Sequence, residues 1–457
     1  MVAVSSQPKR VLVVGMGVSG RAVCAVLLKR GARVVGTDLA DRERFGNALE
    51  GLESMGCVLR LGTHLMDDFL EADQIVVSPG VPLDLEPLKA ASEAGVEIVG
   101  ELEWAWRQTT APVVAVTGTN GKTTTTSLLG EMLRNAGQRV FVGGNIGTPL
   151  SQWILEGGEA DVLVLEVSSF QLDTASTFRP RVGVLLNITE DHLDRYHSFE
   201  DYIDSKFSIF QRQTSEDFAV INLDDPVCRR RNDRIPGRVL TYSRSLADAT
   251  AWIREGVIRC AIPGMEPFEL EVGDSPLRGV HNEENIMAAV LAASLMGAAP
   301  GVVRETVRRY RGLPHRVEWV RCWRGIDFYD DSKGTNVGAV VKALENFDRP
   351  VWLFLGGRDK LGSYEPLIEP LQRRGRGVLA FGEAAPRVRE QLERFVPTRT
   401  FADLEEAFRE AMRMAEPGDV VLLSPACSSF DQYESYAQRG DHFKRLVAEL
   451  AEPAAAD

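Results

Sequence analysis

The sequence predicts an α/β protein of three domains, each built around a mainly parallel β-sheet. The first observation is length, because 457 residues exceed what one hydrophobic core usually supports. The second is that short β-branched runs alternate with segments of helical periodicity, which is typical of parallel sheets covered by helices. The third is that this pattern restarts twice, so we expect domains at residues 1–111, 112–312 and 313–457.

The composition argues against a nucleic-acid-binding protein. A formal net charge of −13 disfavours the concentrated basic face that contacts to nucleic-acid phosphates require. An anionic substrate would therefore be met by local cations or metal ions. The six cysteines are scattered, with no Cys-x-x-Cys pair, which is typical of a protein of the reducing cytoplasm.

Nothing in the sequence favours secretion or membrane insertion. The opening residues MVAVSSQPKR lack the apolar core of a signal peptide. The uncharged run from Ile286 to Val303 approaches the length of a membrane span, but it is rich in alanine and interrupted by Pro300 and Gly301. We predict that it forms a buried helix ending near Gly297, in a cytoplasmic protein.

The first domain opens with a glycine-rich turn. RVLVVGMGVSG reads as a strand and turn, followed by a helix through Lys29 and a second strand, ARVVGTD, ending at Asp38. A G-x-G-x-x-G turn with an acid at this distance is the dinucleotide-binding fingerprint, and taken alone it predicts NAD or FAD and an oxidoreductase. QIVVSPGVP, from Gln74 to Pro82, reads as another strand that enters a ligand-facing loop.

The second domain begins with VVAVTGTNGKTTTTSLL, which resembles a phosphate-binding loop but has Val116 where the common pattern has glycine. Gly118 and Gly121 allow backbone N–H groups to turn toward an anion at the start of a helix. Lys122 can then reach the outer phosphates, and the hydroxyl of Thr123 can reach a phosphate-bound Mg²⁺. The alternative is a glycine-rich turn with a surface lysine.

Two residues at predicted strand ends are candidate metal ligands. Glu166 follows the apolar VLVL, and His192 lies in TEDHLDRY just after VGVLLNI. Because parallel strands present their carboxyl ends at one edge of a sheet, both side chains are expected near the phosphate-binding loop, where they could hold a second Mg²⁺. For Glu166 the alternative is a helix cap or a surface acid, and histidine is an unusual magnesium ligand.

Lys206 lies within an apolar stripe. In EDYIDSKFSIF, the buried face of a helix is predicted to contain Tyr202, Ile203, Phe207 and Phe210, and Lys206 falls on that face. Burying an unpaired ammonium costs several kcal/mol, so the lysine must be paired, neutralised or modified unless its stem reaches solvent. The functional interpretation is that Lys206 faces the phosphate site.

Three further motifs carry polar residues at element ends. Asn282 in HNEENIMAA either caps the alanine-rich helix or has a functional role. YDDSKGTN and SPACSSFDQYESYAQRG each follow a strand of the third domain and read as ligand-facing loops, although a solvated loop and core aromatics are the simpler interpretations. Their candidate residues are Asp331, Lys333, Thr335, Ser428, Ser429, Phe430, Tyr433 and Tyr436.

The motifs, in their order, resemble the Mur ligases, in particular those that add D-glutamate during peptidoglycan precursor synthesis. The resemblance runs from about Arg10 to Arg445. It rests on GMGVSG, SPGVP, TGTNGKTT, GGNIGTPL, EVSSFQL, TEDHLDRY, HNEEN, LPHR, DDSKGTN, LGGRDK and SPACSSFDQY. GTNGK alone would be shared with folylpolyglutamate synthases, and the last three motifs make the resemblance specific.

The resemblance implies an N-terminal Rossmann-like domain that binds a uridine nucleotide, a central P-loop ATPase domain, and a C-terminal Rossmann-like domain that binds D-glutamate and closes over ATP. By this resemblance, the glycine-rich turn would bind UDP and not a dinucleotide. The implied UDP-substrate residues are Gly17, Val18, Ser19, Asp38, Ser78, Pro79, Gly80 and Asn145. The implied ATP residues are Gly118, Thr119, Asn120, Gly121, Lys122, Thr123, Thr124, Asn282, Arg316 and Asp331. The implied D-glutamate residues are Lys333, Thr335, Lys360, Ser429, Phe430 and Tyr436.

The resemblance also implies the cofactors and the reaction. Two Mg²⁺ ions would be held by Thr123, Glu166, His192 and a Lys206 carbamylated by CO₂, and the catalytic set would be Lys122, Glu166, His192 and Lys206. The substrates would be UDP-N-acetylmuramoyl-L-alanine, D-glutamate and ATP, joined through an acyl phosphate by a monomeric enzyme. Tyr436 stands where the family has phenylalanine, which leaves its role open.

Other functions remain as alternatives at this point. They are an NAD(P)-dependent oxidoreductase, argued from the glycine turn and Asp38, an ATP-hydrolysing binding module, and a related ligase such as folylpolyglutamate synthase.

Overall fold

The computed structural model describes residues 10–190, 195–273, 275–277, 279–359 and 362–450. Two predicted site residues, His192 and Lys360, lie outside the described residues. The described strands form three separate sheets with helices between consecutive strands. The predicted fold class, α/β with mainly parallel sheets, is confirmed.

The first sheet has the order β3-β2-β1-β4-β5, and its described pairings are all parallel. Its strands are β1 (Arg10–Val14), β2 (Arg33–Asp38), β3 (Val58–Leu61), β4 (Gln74–Val77) and β5 (Glu97–Gly100). Its helices are α1 (Val18–Lys29), α2 (Glu50–Ser54), α3 (Met66–Leu70), α4 (Glu86–Glu93) and α5 (Glu101–Trp106). Because β1 and β4 are central and parallel, the turn after β1 and the loop after β4 meet at one edge.

The second sheet has the order β14-β13-β12-β11-β10-β9-β6-β8-β7 and becomes antiparallel only at β12, β13 and β14. Its strands are β6 (Val113–Thr117), β7 (Val140–Gly144), β8 (Val162–Glu166), β9 (Val182–Leu185), β10 (Phe218–Asn222), β11 (Arg238–Ser243), β12 (Ala251–Arg254), β13 (Val257–Cys260) and β14 (Phe268–Glu271). Its helices are α6 (Lys122–Asn135), α7 (Leu150–Leu155), α8 (Ser169–Leu172), α9 (Phe199–Phe207), α10 (Pro226–Arg231), α11 (Val280–Leu295) and α12 (Pro300–Arg309). The neighbours of β6 are β8 and β9, so the loops that follow these three strands lie side by side.

The third sheet has the order β15-β16-β20-β17-β18-β19 and is parallel except between β15 and β16. Its strands are β15 (Glu318–Trp323), β16 (Ile326–Asp330), β17 (Val351–Gly356), β18 (Gly375–Phe381), β19 (Thr398–Phe401) and β20 (Val420–Ala426). Its helices are α13 (Val337–Glu345), α14 (Ile368–Arg374), α15 (Ala385–Leu392), α16 (Leu404–Met414) and α17 (Tyr436–Ala448). The adjacent strands β16, β20 and β17 bring three polar loops to one edge.

The described residues form two compact units. Those up to Gly273 together with Glu284–Val307 form the first, which holds the first two sheets, and those of 274–283 and from Arg308 onward form the second. The predicted boundaries of the three domains therefore stay predictions. No helix of the described residues combines the length and apolar character that crossing a membrane requires, and the alanine-rich α11 is buried from Asn285 to Ser294.

The structure differs from two local predictions. Helix α11 begins at Val280, so Asn282 lies inside its first turn and does not occupy the cap position. Helix α9 ends at Phe207, and Phe210 belongs to a short 3₁₀ turn that continues the same buried face. The apolar pattern predicted the burial of Tyr202, Ile203 and Phe210 correctly, whereas Phe207 is half-buried. It did not predict the helix ends, because end positions depend on local hydrogen bonding.

Candidate active site

The glycines of the loop between β6 and α6 are required by close contacts. Gly121 has φ of +82°, and a Cβ at this position would lie 2.2 Å from Asn285 Oδ1. A Cβ on Gly118 would lie 3.0 Å from the side chain of Leu186. The loop therefore keeps its backbone N–H groups at the start of α6 only if both positions lack a side chain.

The loop is also held by the segment that follows β9. Asn187 accepts the Thr119 N–H at its carbonyl at 2.9 Å and the Asn120 N–H at its side-chain oxygen at 2.8 Å. On the other side of the loop, the Thr125 hydroxyl donates to Asn285 Oδ1 at 3.2 Å. These contacts fix the loop without a glycine at Val116, which is a fully buried strand residue.

Glu166 ends β8 and is buried beside the loop, with 2% of its surface exposed. Its Oε2 accepts a hydrogen bond from the Thr123 hydroxyl at 2.7 Å, and its Oε1 accepts one from Asn145 Nδ2 at 2.9 Å. Glu166 is therefore neither a helix cap nor a surface acid. Its carboxylate and the Thr123 hydroxyl offer neighbouring oxygen atoms, which are the ligand type that Mg²⁺ prefers.

Two lysines converge on one carbonyl of the loop. Lys122 Nζ donates to the carbonyls of Gly118 and Thr119 at 2.9 and 2.8 Å, and Lys206 Nζ donates to Gly118 O at 2.9 Å. Lys206 is 2% exposed, so its stem does not reach solvent. Its ammonium lies 4.7 Å from the ring centre of Tyr202, whose hydroxyl is 3.2 Å from Thr119 Oγ1. Lys206 thus faces the loop from α9.

In the first sheet, the glycine turn after β1 is fixed by Asp38. Its Oδ2 accepts the Met16 N–H at 2.7 Å and its Oδ1 accepts the Ala40 N–H at 2.9 Å. The Ser78 hydroxyl, in the loop after β4, donates to Gly15 O at 2.8 Å. Beside this turn Val18 is 56% exposed. The carboxylate of Asp38 therefore organises the turn through backbone groups at both of its oxygens.

In the second unit, Asp331 follows β16 and is buried. Its Oδ2 accepts the Ser424 hydroxyl at 2.6 Å and its Oδ1 accepts the Val317 N–H at 3.2 Å. Burial raises the pKa of Asp331 to about 7, although both hydrogen bonds act in the opposite direction. A Cβ on Gly334 would lie 2.4 Å from Asp331 Oδ2, so the turn closes tightly over this carboxyl group.

The three loops at the edge of the third sheet are joined by Arg439 on α17, which is fully buried. Its Nε donates to Ser332 Oγ at 3.0 Å, and its Nη2 donates to Ser332 O and Cys427 O at 3.0 Å each. Its Nη1 donates to Gly356 O at 3.2 Å and Ser428 O at 3.4 Å. One guanidinium therefore contacts the loops that follow β16, β17 and β20.

Side chains at this edge include exposed ones. Lys333 Nζ lies 5.3 Å from the ring centre of Tyr436, and that ring meets His315 edge-on at 6.0 Å. Phe430 is 61% exposed, whereas Ser429 is 2% exposed. The edge thus combines a cation and aromatic rings with the buried hydroxyl group of a serine, which suits an anionic ligand of small size.

One cluster in the second unit has the residue types of a metal site. Potential ligand atoms of His315, Glu318 and Asp330 lie within 4.8 Å of one another. However, His315 Nδ1 is 2.7 Å from Asp330 Oδ2, and Lys444 Nζ is 3.1 Å from Glu318 Oε2. Both carboxylates thus already have partners, Glu318 in the Lys444 ammonium and Asp330 in the His315 ring, so we do not assign a metal to this cluster.

The comparisons with known families cover each of the three sheets. Residues 9–100 match the family described as "Mur ligase MurD-like, N-terminal domain", residues 116–293 match "Mur ligase middle domain", and residues 315–427 match "Mur ligase, glutamate ligase domain".

Individual relatives match over nearly the whole chain. The UDP-N-acetylmuramoylalanine–D-glutamate ligase of Desulfosudis oleivorans is 47% identical over 454 residues, which are 99% of both chains. The protein of the same name from Geotalea daltonii is 45% identical over 445 residues, covering 97% of this chain and 98% of its own length. The chain belongs to the Mur ligase family.

Solved structures of other Mur ligases share the fold at low identity. The UDP-N-acetylmuramate-alanine ligase of Thermotoga maritima is 19% identical with a TM-score of 0.54, covering 96% of this chain and 100% of the other. A MurF ligase from Thermotoga maritima in complex with ADP is 20% identical with a TM-score of 0.56, covering 92% and 96%. At these identities the likeness supports the fold of this Mur ligase alone.

Within each of the two units, the structure brings some of the predicted site residues of this Mur ligase together. At the loop after β6, these residues are Lys122, Thr123, Asn145, Glu166 and Lys206. Asn145, expected to touch the UDP substrate, donates to Glu166, and its contact with the substrate stays a prediction. The residues predicted at Arg316, Asp331, Lys333, Thr335, Ser429, Phe430 and Tyr436 all belong to the second unit.

Sequence reasoning missed Arg439 and Asn285 in this Mur ligase. Arg439 lies near the end of the motif SPACSSFDQYESYAQRG, in which only hydroxyl and aromatic residues were predicted to be functional. An arginine near the start of a helix is normally expected at the surface. Asn285 lies three positions after Asn282 in HNEEN, on the same face of the helix. The signal available for Asn285 was its position at the start of an otherwise apolar helical stripe, where an amide needs a partner.

Proposed function

We propose that this chain is an ATP-dependent amide ligase that joins D-glutamate to UDP-N-acetylmuramoyl-L-alanine, forming ADP and phosphate in peptidoglycan precursor synthesis. The observation that carries the proposal is the loop after β6, where two lysines meet the Gly118 carbonyl beside the buried carboxylate of Glu166. The names of the near full-length relatives specify the amino acid.

The reaction proceeds in two steps. The carboxylate of the alanyl group attacks the γ-phosphate of ATP to form an acyl phosphate and ADP. The amine of D-glutamate then attacks the acyl carbon through a tetrahedral intermediate, which releases phosphate and leaves the amide. Activation is needed because a carboxylate oxygen is a poor leaving group.

The chain contributes positioning and charge to these steps. The N–H groups of residues 121–124 and the ammonium of Lys122 hold the ATP phosphates and offset the charge that develops on them. Thr123 and Glu166 provide oxygen ligands that fit Mg²⁺, which when bound neutralises phosphate charge. The proposed D-glutamate site consists of the edge residues Lys333, Thr335, Ser429, Phe430 and Tyr436, together with Lys360. The proposed UDP site is the glycine turn after β1.

We assign Lys206 the role of a carbamylated metal ligand. As an ammonium it would repel a cation beside Glu166, whereas a carbamate formed with CO₂ carries the opposite charge and two oxygen atoms. Its side chain is 2% exposed and its Nζ lies at the Gly118 carbonyl, which supports this role because a carbamate there would lie at the phosphate-binding loop. His192 completes the proposed ligand set for two Mg²⁺ ions.

The proposal also includes a cytoplasmic monomer, and the free state of all six cysteines is consistent with a reducing compartment.

A substrate panel tests the proposed reaction. ADP release is measured with ATP, UDP-N-acetylmuramoyl-L-alanine and, in turn, D-glutamate, L-lysine or diaminopimelate. We expect release with D-glutamate only. Release with another amino acid would make the chain a different ligase, and release without any amino acid would favour an ATP-hydrolysing binding module. Family membership does not support the oxidoreductase alternative, and tight NADH binding by titration without binding of the UDP substrate would contradict the proposal.

Substitution of Lys206 tests the carbamate. Lys206→Ala should abolish most ligase activity, and short carboxylates such as acetate or formate should restore part of it because they can supply the missing anion. The exposed Lys89→Ala is the matched control and should keep full activity without responding to carboxylates. Full activity of Lys206→Ala, or no restoration by any carboxylate, would contradict carbamylation.

A further inference from the structure

Where α9 packs against the α8 segment, three polar side chains form a closed hydrogen-bond network. The Tyr196 hydroxyl donates to Asp173 Oδ2 at 2.8 Å and lies 3.2 Å from Ser205 Oγ. Ser205 Oγ is within hydrogen-bond distance of Asp173 Oδ1 and lies 3.1 Å from Ser169 O. Because a hydrogen bond to a carboxylate is stronger than one between neutral groups, Asp173 is the centre of this network.

The network joins two elements that carry proposed active-site groups. Asp173 directly follows α8, which begins three residues after Glu166. Ser205 lies on α9 immediately before Lys206. Consecutive helix residues point about 100° apart, so Ser205 contacts the α8 segment while Lys206 reaches the Gly118 carbonyl.

The network is buried at Ser205, half-buried at Tyr196 and exposed at Asp173, and aromatic rings brace it. Ser205 is 8% exposed, and the ring of Tyr196 stacks on Phe170 at 6.1 Å and meets Tyr202 at 5.3 Å. Burial raises the pKa of Tyr196 to about 12, so its hydroxyl keeps its proton and remains a donor at neutral pH. A fixed donor, a charged acceptor and a buried hydroxyl together resist rotation of α9.

We propose that Asp173, Tyr196 and Ser205 are positioning residues that fix the rotation of α9 and thereby hold Lys206 Nζ at the phosphate loop. The consequence for catalysis rests on the proposed ligase function, but the consequence for the position of Lys206 does not. Loss of the network allows α9 to turn, which moves Lys206 away from the Gly118 carbonyl and exposes its amine.

The first measurement is the rate of reductive methylation of Lys206 in CO₂-free buffer, followed by peptide mass spectrometry and normalised to the exposed Lys89. Ser205→Ala and Asp173→Asn should raise this rate by about tenfold or more, because losing a hydrogen bond to a charged group favours local opening by about that factor. Ser205→Thr keeps the hydroxyl and should label like the parent protein.

Ser198→Ala is the matched control on the same helix. Ser198 Oγ accepts the Asp201 N–H at 3.1 Å and caps α9 at an exposed position, so its loss weakens the helix without freeing its rotation. Labelling of Lys206 in this variant should stay within about twofold of the parent, as expected for a capping loss confined to the helix end. If Ser205→Ala does not fold, Tyr196→Phe, which removes only a hydroxyl group, decides the question.

The second measurement is steady-state ligase activity. The network variants should lower kcat by about tenfold or more with little change in the KM for ATP, since the phosphate loop itself is intact. Unchanged labelling in Ser205→Ala and Asp173→Asn, or an equal increase in Ser198→Ala, would overturn the positioning role. Absence of ligase activity in the parent protein would instead overturn the proposed function, and the labelling result would still decide the positioning role.

Discussion

Arg439 is a buried cation whose hydrogen-bond partners are carbonyl and hydroxyl oxygens, which is an unusual solution for a charged side chain. Burial lowers the pKa of Arg439 to about 10, so the guanidinium is still protonated at neutral pH. Its rigid, planar arrangement of donors matches acceptors on three separate loops, which a lysine could not satisfy in the same way. The proposed D-glutamate loops therefore depend on one residue that touches none of their outward-facing side chains.

We predict that Arg439→Met lowers stability and weakens D-glutamate binding. Each buried carbonyl left without a donor costs about 1–3 kcal/mol, so the unfolding midpoint in urea should fall clearly and the KM for D-glutamate should rise by more than about tenfold. Arg445→Met, at an exposed position of the same helix, is the control and should leave both quantities nearly unchanged. An unaltered KM for D-glutamate in Arg439→Met would show that the loops keep their shape without it.

At the scale of elements, the phosphate loop depends on a contact with a distant helix. Gly121 is required both by its positive φ and by Asn285 of α11, whose side chain occupies the space where a Cβ would lie. The positive φ of Gly121 could be predicted from the sequence, because glycine in a tight turn commonly adopts such a conformation. The contact with Asn285 could not, because it joins residues 164 positions apart in the sequence.

Gly121→Ala and Gly137→Ala separate these two effects, since both glycines flank α6 at φ of +82° and +87°. A Cβ on Gly137 meets nothing within 4 Å, so Gly137→Ala should lose only about 1–2 kcal/mol of stability through backbone strain. Gly121→Ala should lose more and should also weaken ATP binding, measured by calorimetric titration, by more than about tenfold because the loop must shift. Equal ATP affinity in both variants would contradict the role assigned to the Asn285 contact.

Prediction from sequence worked best for elements whose signal is local. The strand, turn and helix at the phosphate loop, the buried α11 and the buried face of α9 all follow from periodicity and glycine placement. It was wrong at two helix ends, and it made no prediction of individual long-range contacts. The hydrogen bond between Asn145 and Glu166 is such a contact, because it depends on the pairing of β7 with β8.

At the scale of the molecule, burial makes several carboxyl groups easier to protonate. Burial raises the pKa of Glu101, of Glu284 to about 7 and of Asp331 to about 7. For Asp331, the folded chain keeps a proton above pH 4 that the unfolded chain releases, since an unperturbed aspartate titrates near 3.9. The contribution of this group to stability is therefore complete below about pH 4 and is lost as pH rises through about 7.

We predict that Asp331→Asn flattens the pH dependence of unfolding. The asparagine stays neutral and can use the same partners, so its stability relative to the parent should rise by roughly 3 kcal/mol between pH 5 and pH 8. Urea unfolding at both pH values measures this difference, with Asp348→Asn, whose side chain is 91% exposed, as the control. An identical pH dependence in parent and Asp331→Asn would contradict the pKa assigned to Asp331.

The sequence by itself determined the three-sheet α/β architecture, the glycine-rich turns and the family, because hydrophobic periodicity, turn residues and motif order are local properties of the chain. Only the tertiary structure decided which groups meet: Lys206 and Lys122 at one carbonyl, Glu166 with Thr123 and Asn145, and Arg439 across three loops. Such contacts depend on strand order and helix rotation, which arise from packing of the whole core and are not encoded at any single position.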